Sequence, residues 1–197
     1  QALDFYCCRH GLGYTVIRGK KDGISLEQAM LVPNGDNCLL LKLTVRNESA
    51  ETQKVSLFPY VEFCLWDAMD DSSNFQRNFS TGEVEIEKNA LYHKTEYRER
   101  RDHYGYGSPA KPAAVLNGRC TGSHAHGWAP VGAMEFDLEL TPGEEKQLVL
   151  GLGYIENPQE AKFVSPGVIN KATAHAMMEK FGSPAAFDRA LEGLRKF

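Results

Sequence analysis

Apolar residues recur at every second position over the first three quarters of the chain, a spacing that leaves β-sheet as the main way to bury them. Leu39, Leu41, Leu43 and Val45 fall on one side while Lys42, Thr44 and Arg46 fall on the other, the pattern of a half-buried strand. Val55, Leu57, Val61 and Phe63 repeat it, with Pro59 marking an edge or a bulge because proline has no N–H for a ladder. Met134, Phe136, Leu138 and Leu140 alternate with Glu135, Asp137 and Glu139. After the turn Thr141-Pro142-Gly143, Leu148, Leu150, Leu152 and Tyr154 follow, which predicts a hairpin between the two runs. Lys21-Asp22-Gly23 predicts a tight turn between strands Tyr14 to Lys20 and Ile24 to Leu31, and Asn34-Gly35-Asp36 punctuates the approach to the next. A strand is also expected from Ala2 to Cys7. Many strands joined by short turns predict antiparallel sheets packed face to face.

The period changes in the tail. Ala174, Met177, Met178 and Phe181 fall at helical spacing with Gly182 as a stop. Ser183 then reads as an N-cap and Pro184 as the first residue of a second helix, whose stripe is Phe187, Ala190, Leu191, Leu194 and Phe197. Two readings stand for these helices: they cover one sheet, or they form a connector whose apolar stripe packs against something outside the chain.

Composition narrows the function classes. The 197 residues carry 22 Lys plus Arg against 26 Asp plus Glu, a formal net charge of -4 with no basic block. Clustered cations of the kind a nucleic-acid backbone requires are therefore not expected. No apolar run approaches the roughly 20 residues that span a bilayer, so no membrane partner is expected. A chain of this length buries roughly 70% of its unfolded surface and needs no staples. Cys7, Cys8, Cys38, Cys64 and Cys120 are odd in number, lack C-x-x-C spacing and lie mostly in apolar segments, which predicts reduced, buried thiols and a cytoplasmic protein. With Gln at position 1 and a strand beginning at once, the chain reads as starting partway through a longer polypeptide.

The long segment from Leu65 to Ser80 is the richest in chemistry. Gln76, Arg77 and Asn78 stand in succession and offer several donors and two amide acceptors, which suits sugar hydroxyls. Phe75 and Phe79 offer apolar faces to a pyranose ring. The competing reading pairs Arg77 with Asp70 or Asp71 and uses the phenylalanines as anchors. A second polar run, His93 to His103, places Lys94, Glu96, Arg98 and Arg100 on one strand face, where a solvated ion-pair ladder is the default and a subunit contact the alternative. His124 and His126 share a face at strand spacing, yet no third ligand is evident, so no metal site is expected. Neither a phosphate-binding glycine loop nor a Gly-x-Ser-x-Gly elbow occurs. Adjacent carboxylates such as Asp70 and Asp71 do not make a glycosidase, which needs them across the scissile bond.

Five segments carry a resemblance: FYCCRHGLGY (Phe5 to Tyr14), SLFPYVEFCLW (Ser56 to Trp66), NFQRNFSTGEVEIE (Asn74 to Glu87), YHKTEYRERR (Tyr92 to Arg101) and LGYIENP (Leu152 to Pro158). Together they resemble the N-terminal region of inverting disaccharide phosphorylases of the cellobiose phosphorylase type, a family that includes the cellodextrin and chitobiose enzymes. The resemblance implies a mainly β fold, an antiparallel β super-sandwich related to galactose mutarotase, at residues 1–157. A helical linker would follow at 158–197 and lead to an (α/α)6 catalytic barrel outside the chain. It further implies phosphorolysis of a β-1,4-linked disaccharide to α-glucose 1-phosphate and a free sugar. One carboxylic acid protonates the leaving oxygen and phosphate takes the place of the activated water, so no protein base is needed.

In such enzymes the acid is an Asp on the barrel, and inorganic phosphate, a co-substrate, is bound there too. No catalytic residue, metal or cofactor is thus expected in this chain, which alone would be inactive. By the same resemblance Arg77 would bond acceptor hydroxyls, Gln76 would orient the ring and Asn78 would assist. The N-terminal domains of a homodimer would meet at its interface. The sequence departs from the pattern after YHKTEYRERR, where a longer acidic stretch is expected and His103 to Gly107 instead runs almost directly into Ser108 to Ala113. A carbohydrate-binding module acting alone is the alternative of another class.

Overall fold

In the computed structural model, which describes residues 2–63, 80–87, 89–97, 125–127, 131–166 and 168–195, the alternating segments form antiparallel strands. The chain divides into two units, residues 1–55 with 138–197, and residues 56–137.

The first unit is built on a five-stranded sheet. Its strands are β1 (Phe5–Gly11), β2 (Tyr14–Lys21), β3 (Ile24–Leu31), β4 (Cys38–Asn47) and β12 (Glu145–Gly153), adjacent in that order. The turn between β2 and β3 is the one expected: Asp22 (φ 49°) and Gly23 (φ 80°) both take the left-handed conformation that matches the twist of a two-residue hairpin. β1 begins at Phe5 rather than Ala2 and continues to Gly11.

β4 is buried on both faces, which simple alternation does not convey. Cys38 and Leu40 lie on the face shared with Ala29 and Leu31 of β3, while Leu43, Val45 and Asn47 are buried on the opposite face. The first face is covered by helices α1 (Ala172–Phe181) and α2 (Pro184–Arg195). Phe181 and Phe187 pack on Ala29, Leu31, Cys38 and Leu40, with Met177, Ala190, Leu191 and Leu194 around them. The apolar stripe of the two helices therefore lies on this sheet, the first of the two readings the sequence left open. Met178, although in helical phase, is exposed.

Local chemistry fixes these helices. Ser183 Oγ accepts from the Ala186 N–H at 3.2 Å, so Ser183 caps α2 and Pro184 opens it as expected. Gly182 follows α1 with an ordinary φ of -72°, and the place calls for glycine because a Cβ there would meet the Met178 carbonyl oxygen at 2.5 Å. On the sheet side, a Cβ at Gly153 would meet Met177 Sδ at 3.1 Å, so glycine admits the helix closely. Lys180 bonds both carboxylate oxygens of Asp36 at 2.9 and 2.8 Å, and Lys42 pairs with Asp188. A short strand pair, β13 (Phe163–Ser165) with β14 (Val168–Ile169), precedes α1 and was not expected.

The hairpin expected across Thr141-Pro142-Gly143 does not form. β11 (Phe136–Leu140) pairs instead with β5 (Gln53–Leu57), and β12 pairs with β4. The turn is tight, with Glu144 accepting from Thr141 N at 2.8 Å and Oγ1 at 2.9 Å, but its backbone docks on Asn47: Gly143 N–H donates to the Asn47 carbonyl and Asn47 N–H to that of Glu144. The chain changes sheets at this corner.

The second unit contains β6 (Tyr60–Glu62) paired with β10 (Val131–Ala133), and a three-stranded sheet of β8 (Ala90–Tyr97), β7 (Ser80–Glu87) and β9 (Ala125–Gly127) in that order. Pro59 separates β5 from β6, in keeping with its predicted disruptive place. Val84 at the centre of β7 is buried.

Candidate functional site

Gln76, Arg77 and Asn78, with Asp70, Asp71, Phe75 and Phe79, lie outside the described residues. So do Arg98, Arg100, His124 and the 104–113 stretch where the sequence departs from the family pattern. The described residues give the frame on which the Gln-Arg-Asn segment is carried. It leads directly into β7, whose first residue, Ser80, pairs with Tyr97, and the register then runs without a break to Glu87 opposite Ala90. β9 closes the other side of β7, with Gly82, Glu83 and Val84 opposite Gly127, His126 and Ala125. The segment is thus joined in sequence to a strand whose first residue is paired with β8 and which β9 flanks from Gly82 to Val84.

The frame is packed through an aromatic contact. His93 of β8 stacks on Phe63 with ring centroids 4.3 Å apart and planes 6° from parallel. Burial pushes the His93 imidazolium down to a pKa of about 4, so the ring is neutral near neutral pH, and its Nε2 has no hydrogen-bond partner among the described residues. The backbone of β10 lies against the same cluster: a Cβ at Gly132 would meet Leu91 Cδ1 at 2.9 Å, Phe63 Cε2 at 3.0 Å and Val61 Cγ1 at 3.2 Å. His93, read from the sequence as the start of a polar run, is thus a packing residue. Among the described residues, no group of three His, Cys, Asp or Glu side chains is placed to hold a metal ion.

A second locus, in the first unit, was not anticipated. A cavity of about 300 Å³ is lined by Cys7, Arg9 and His10 of β1, Tyr14, Val16 and Arg18 of β2, and Arg195 at the end of α2. Register explains the convergence, because Cys7 pairs with Arg18, Arg9 with Val16 and Gly11 with Tyr14, which puts those side chains on one face. Gly11 leaves room for the Tyr14 ring, which a Cβ would strike at 2.2 Å. Leu194 packs on Gly13, whose φ is +79°, and Arg195 lies over the Tyr14 ring at 5.1 Å. Arg18 pairs with Glu27 on the neighbouring strand. No sequence motif signals this site, since its arginines come from three separate elements.

Cys7, Cys8 and Cys38 are free thiols. Cys38 is buried in the helix-covered core, and burial raises its pKa, with the nearby Asp36 charge adding to the effect. Among the described residues, no helix is long and apolar enough to cross a membrane.

Comparison with known proteins matches the family model for the glycosyl hydrolase 94 supersandwich domain over residues 1–106 and 98–184. The two matches overlap at residues 98–106, where the sequence begins to depart from the family pattern. The chain is 25% identical over 213 aligned residues to N,N'-diacetylchitobiose phosphorylase of Vibrio furnissii, covering 97% of this chain and 25% of that protein. It is 27% identical over 206 residues to solabiose phosphorylase of Paenibacillus borealis, covering 91% of this chain and 27% of that protein. Cellobionic acid phosphorylase of Neurospora crassa is 22% identical over 188 residues, covering 85% of this chain and 22% of that protein. The chain thus spans about a quarter of the length of these curated relatives. With strands that follow the sandwich pattern and a family match running along nearly all of its length, the chain belongs to the glycosyl hydrolase 94 supersandwich domain family.

Proposed function

We propose that this chain is the N-terminal part of an inverting disaccharide phosphorylase, to which it lends acceptor-side contacts while chemistry takes place on a helical barrel outside it. The observation that carries the reading is the family match together with relatives whose names describe phosphorylases of several disaccharides. Residues 158–197 would serve as the linker towards the barrel, which would supply the aspartic acid and the phosphate ligands. The chain by itself would then be inactive. Inorganic phosphate would be the co-substrate, with no cofactor required.

Gln76, Arg77 and Asn78 would reach the acceptor sugar from the strand that follows them. Arg77 would donate to acceptor hydroxyls, Gln76 would orient the ring and Asn78 would add a weaker contact. A site built for particular hydroxyls leaves buried donors unpaired with the wrong sugar, so these residues would bias acceptor choice. Cellobiose is the substrate this reading favours, with cellodextrin and chitobiose as related alternatives, and a cytoplasmic homodimer joined partly through this domain is its assembly.

The test is to incubate the full polypeptide with inorganic phosphate and a panel of β-linked disaccharides and to follow release of hexose 1-phosphate. Release with at least one disaccharide, and none from the 197-residue chain alone, is the expected result. Saturable cellobiose binding by the chain alone, with no phosphorolysis by the full polypeptide, would instead favour a carbohydrate-binding module.

A further inference from the structure

We propose that the cavity between Arg9, Arg18 and Arg195 is a binding site for a small phosphate-bearing oxyanion. The chain carries a formal net charge of -4, yet three guanidinium groups from β1, β2 and α2 line one cavity of about 300 Å³. Of the three, Arg18 has a carboxylate partner among the described residues, Glu27. Among the described residues, neither Arg9 nor Arg195 makes an ion pair. The exposed guanidinium groups of Arg9 and Arg195 are therefore open to an anion entering the cavity.

The type of anion follows from the donors. Guanidinium forks present paired N–H groups that match the oxygens of phosphate, and Arg9 and Arg195, which hold no carboxylate among the described residues, leave such groups open to it. The side of the cavity formed by Tyr14 and Arg195 is held by packing. Leu194 sits on Gly13, Arg195 lies over the Tyr14 ring, and Tyr14 lies across Gly11. Tyr14 and Val16 supply an apolar wall beside the cations, and the volume falls at the lower end of small-molecule sites. A hexose phosphate fits this combination, with phosphate on the arginines and the sugar beside the Tyr14 edge and Val16. Inorganic phosphate would use the cations alone. Only the hexose-phosphate source rests on the proposed phosphorylase reading.

The test is calorimetric titration of the 197-residue chain, at fixed ionic strength, with inorganic phosphate and separately with glucose 1-phosphate. Arg9→Ala, Arg195→Ala and Arg9→Lys are titrated in parallel after circular dichroism confirms that each retains its strand signal. Saturable binding of either ligand to the parent chain is expected, weakened about tenfold or more in both alanine variants, because a hydrogen bond to a charged group is lost. Arg9→Lys should recover only part of the loss, since it restores charge without the fork. Tighter binding of glucose 1-phosphate would assign the sugar ester as ligand, and equal or tighter binding of inorganic phosphate would assign the free anion. No saturation by either ligand, or saturation unchanged in both alanine variants, overturns the proposal. Because no phosphorolysis is measured, these outcomes are independent of the enzymatic reading.

Discussion

The side-chain amide of Asn47 donates to the Leu140 carbonyl at 2.9 Å, and both residues are fully buried although 93 positions separate them in the chain. The same amide donates to the Glu51 carbonyl at 2.7 Å, while Asn47 Oδ1 accepts from Ser49 N at 2.9 Å and Ser49 Oγ at 2.7 Å. One side chain thereby satisfies the end of β4, the bend that follows it and the end of β11. Asn47→Ala leaves the Leu140 carbonyl buried without this donor and should destabilise the fold by about 2–4 kcal/mol, read from denaturant unfolding. Asn47→Asp, which loses both donated bonds and introduces a buried charge, should cost at least as much.

Lys42 is set under α2, with its side chain only 14% exposed, where it pairs with Asp188 and lies 5.3 Å from the Phe187 ring. Removing Asp188 leaves the Lys42 charge poorly hydrated, whereas replacing Lys42 with an apolar residue of similar length leaves Asp188, 51% exposed, in contact with water. Asp188→Ala should therefore cost about 1–2 kcal/mol and Lys42→Met less than 1 kcal/mol by this argument. Thermal melts of the two variants check the order.

His93 predicts a pH dependence. Its folded pKa, about 4, lies below the ordinary 6.5, so between these values the unfolded chain takes up a proton that the folded chain does not. Unfolding is therefore favoured as pH falls: the His93 contribution is fully present above about pH 6.5 and is lost progressively towards pH 4, by roughly 3 kcal/mol at most. His93→Phe keeps a ring on Phe63 and removes the titration. The stability difference between variant and parent, measured by denaturant unfolding, should shift in favour of the variant between pH 7 and pH 4.5.

Two turn glycines separate backbone strain from crowding. Gly23 (φ +80°) and Gly35 (φ +81°) share a conformation, but a Cβ at Gly23 would meet Ser49 Cβ at 2.9 Å while one at Gly35 meets nothing within 4 Å. Gly35→Ala should cost about 1 kcal/mol from the left-handed backbone alone. Gly23→Ala should cost measurably more in the same melts.

These residues also show what the sequence discloses and what it conceals. Asp22-Gly23 announces its hairpin because only a few residue types tolerate the turn's positive φ angles, and Ser183-Pro184 announces a helix start by the same local logic. The pairing of β11 with β5 is not local. Phe136, Leu138 and Leu140 alternate as any strand would, and alternation reports which face is buried but not which strand lies alongside. The bonds that tie β11 to the end of β4 come from Asn47, one asparagine among several in the chain. Leu40 was hidden for a related reason, since a strand covered on both faces loses the period that marks a half-buried one. Gln76, Arg77 and Asn78 stand out because three hydrogen-bonding side chains adjoin one another. Arg9, Arg18 and Arg195 do not, because register and helix packing, rather than sequence proximity, bring them together.

The central claim is that the segment before β7 reads the acceptor sugar of a phosphorylase. Its most direct test is the synthetic reaction of the full polypeptide, with hexose 1-phosphate as donor and the free sugar as acceptor, comparing the parent with Arg77→Ala. The account predicts a fall in kcat/KM for the acceptor of about 10- to 100-fold, as expected when a buried sugar hydroxyl loses its charged donor, with the donor KM changed little. An Arg77→Ala enzyme with the parent's acceptor kcat/KM, or one whose defect lies wholly in the donor, would contradict it.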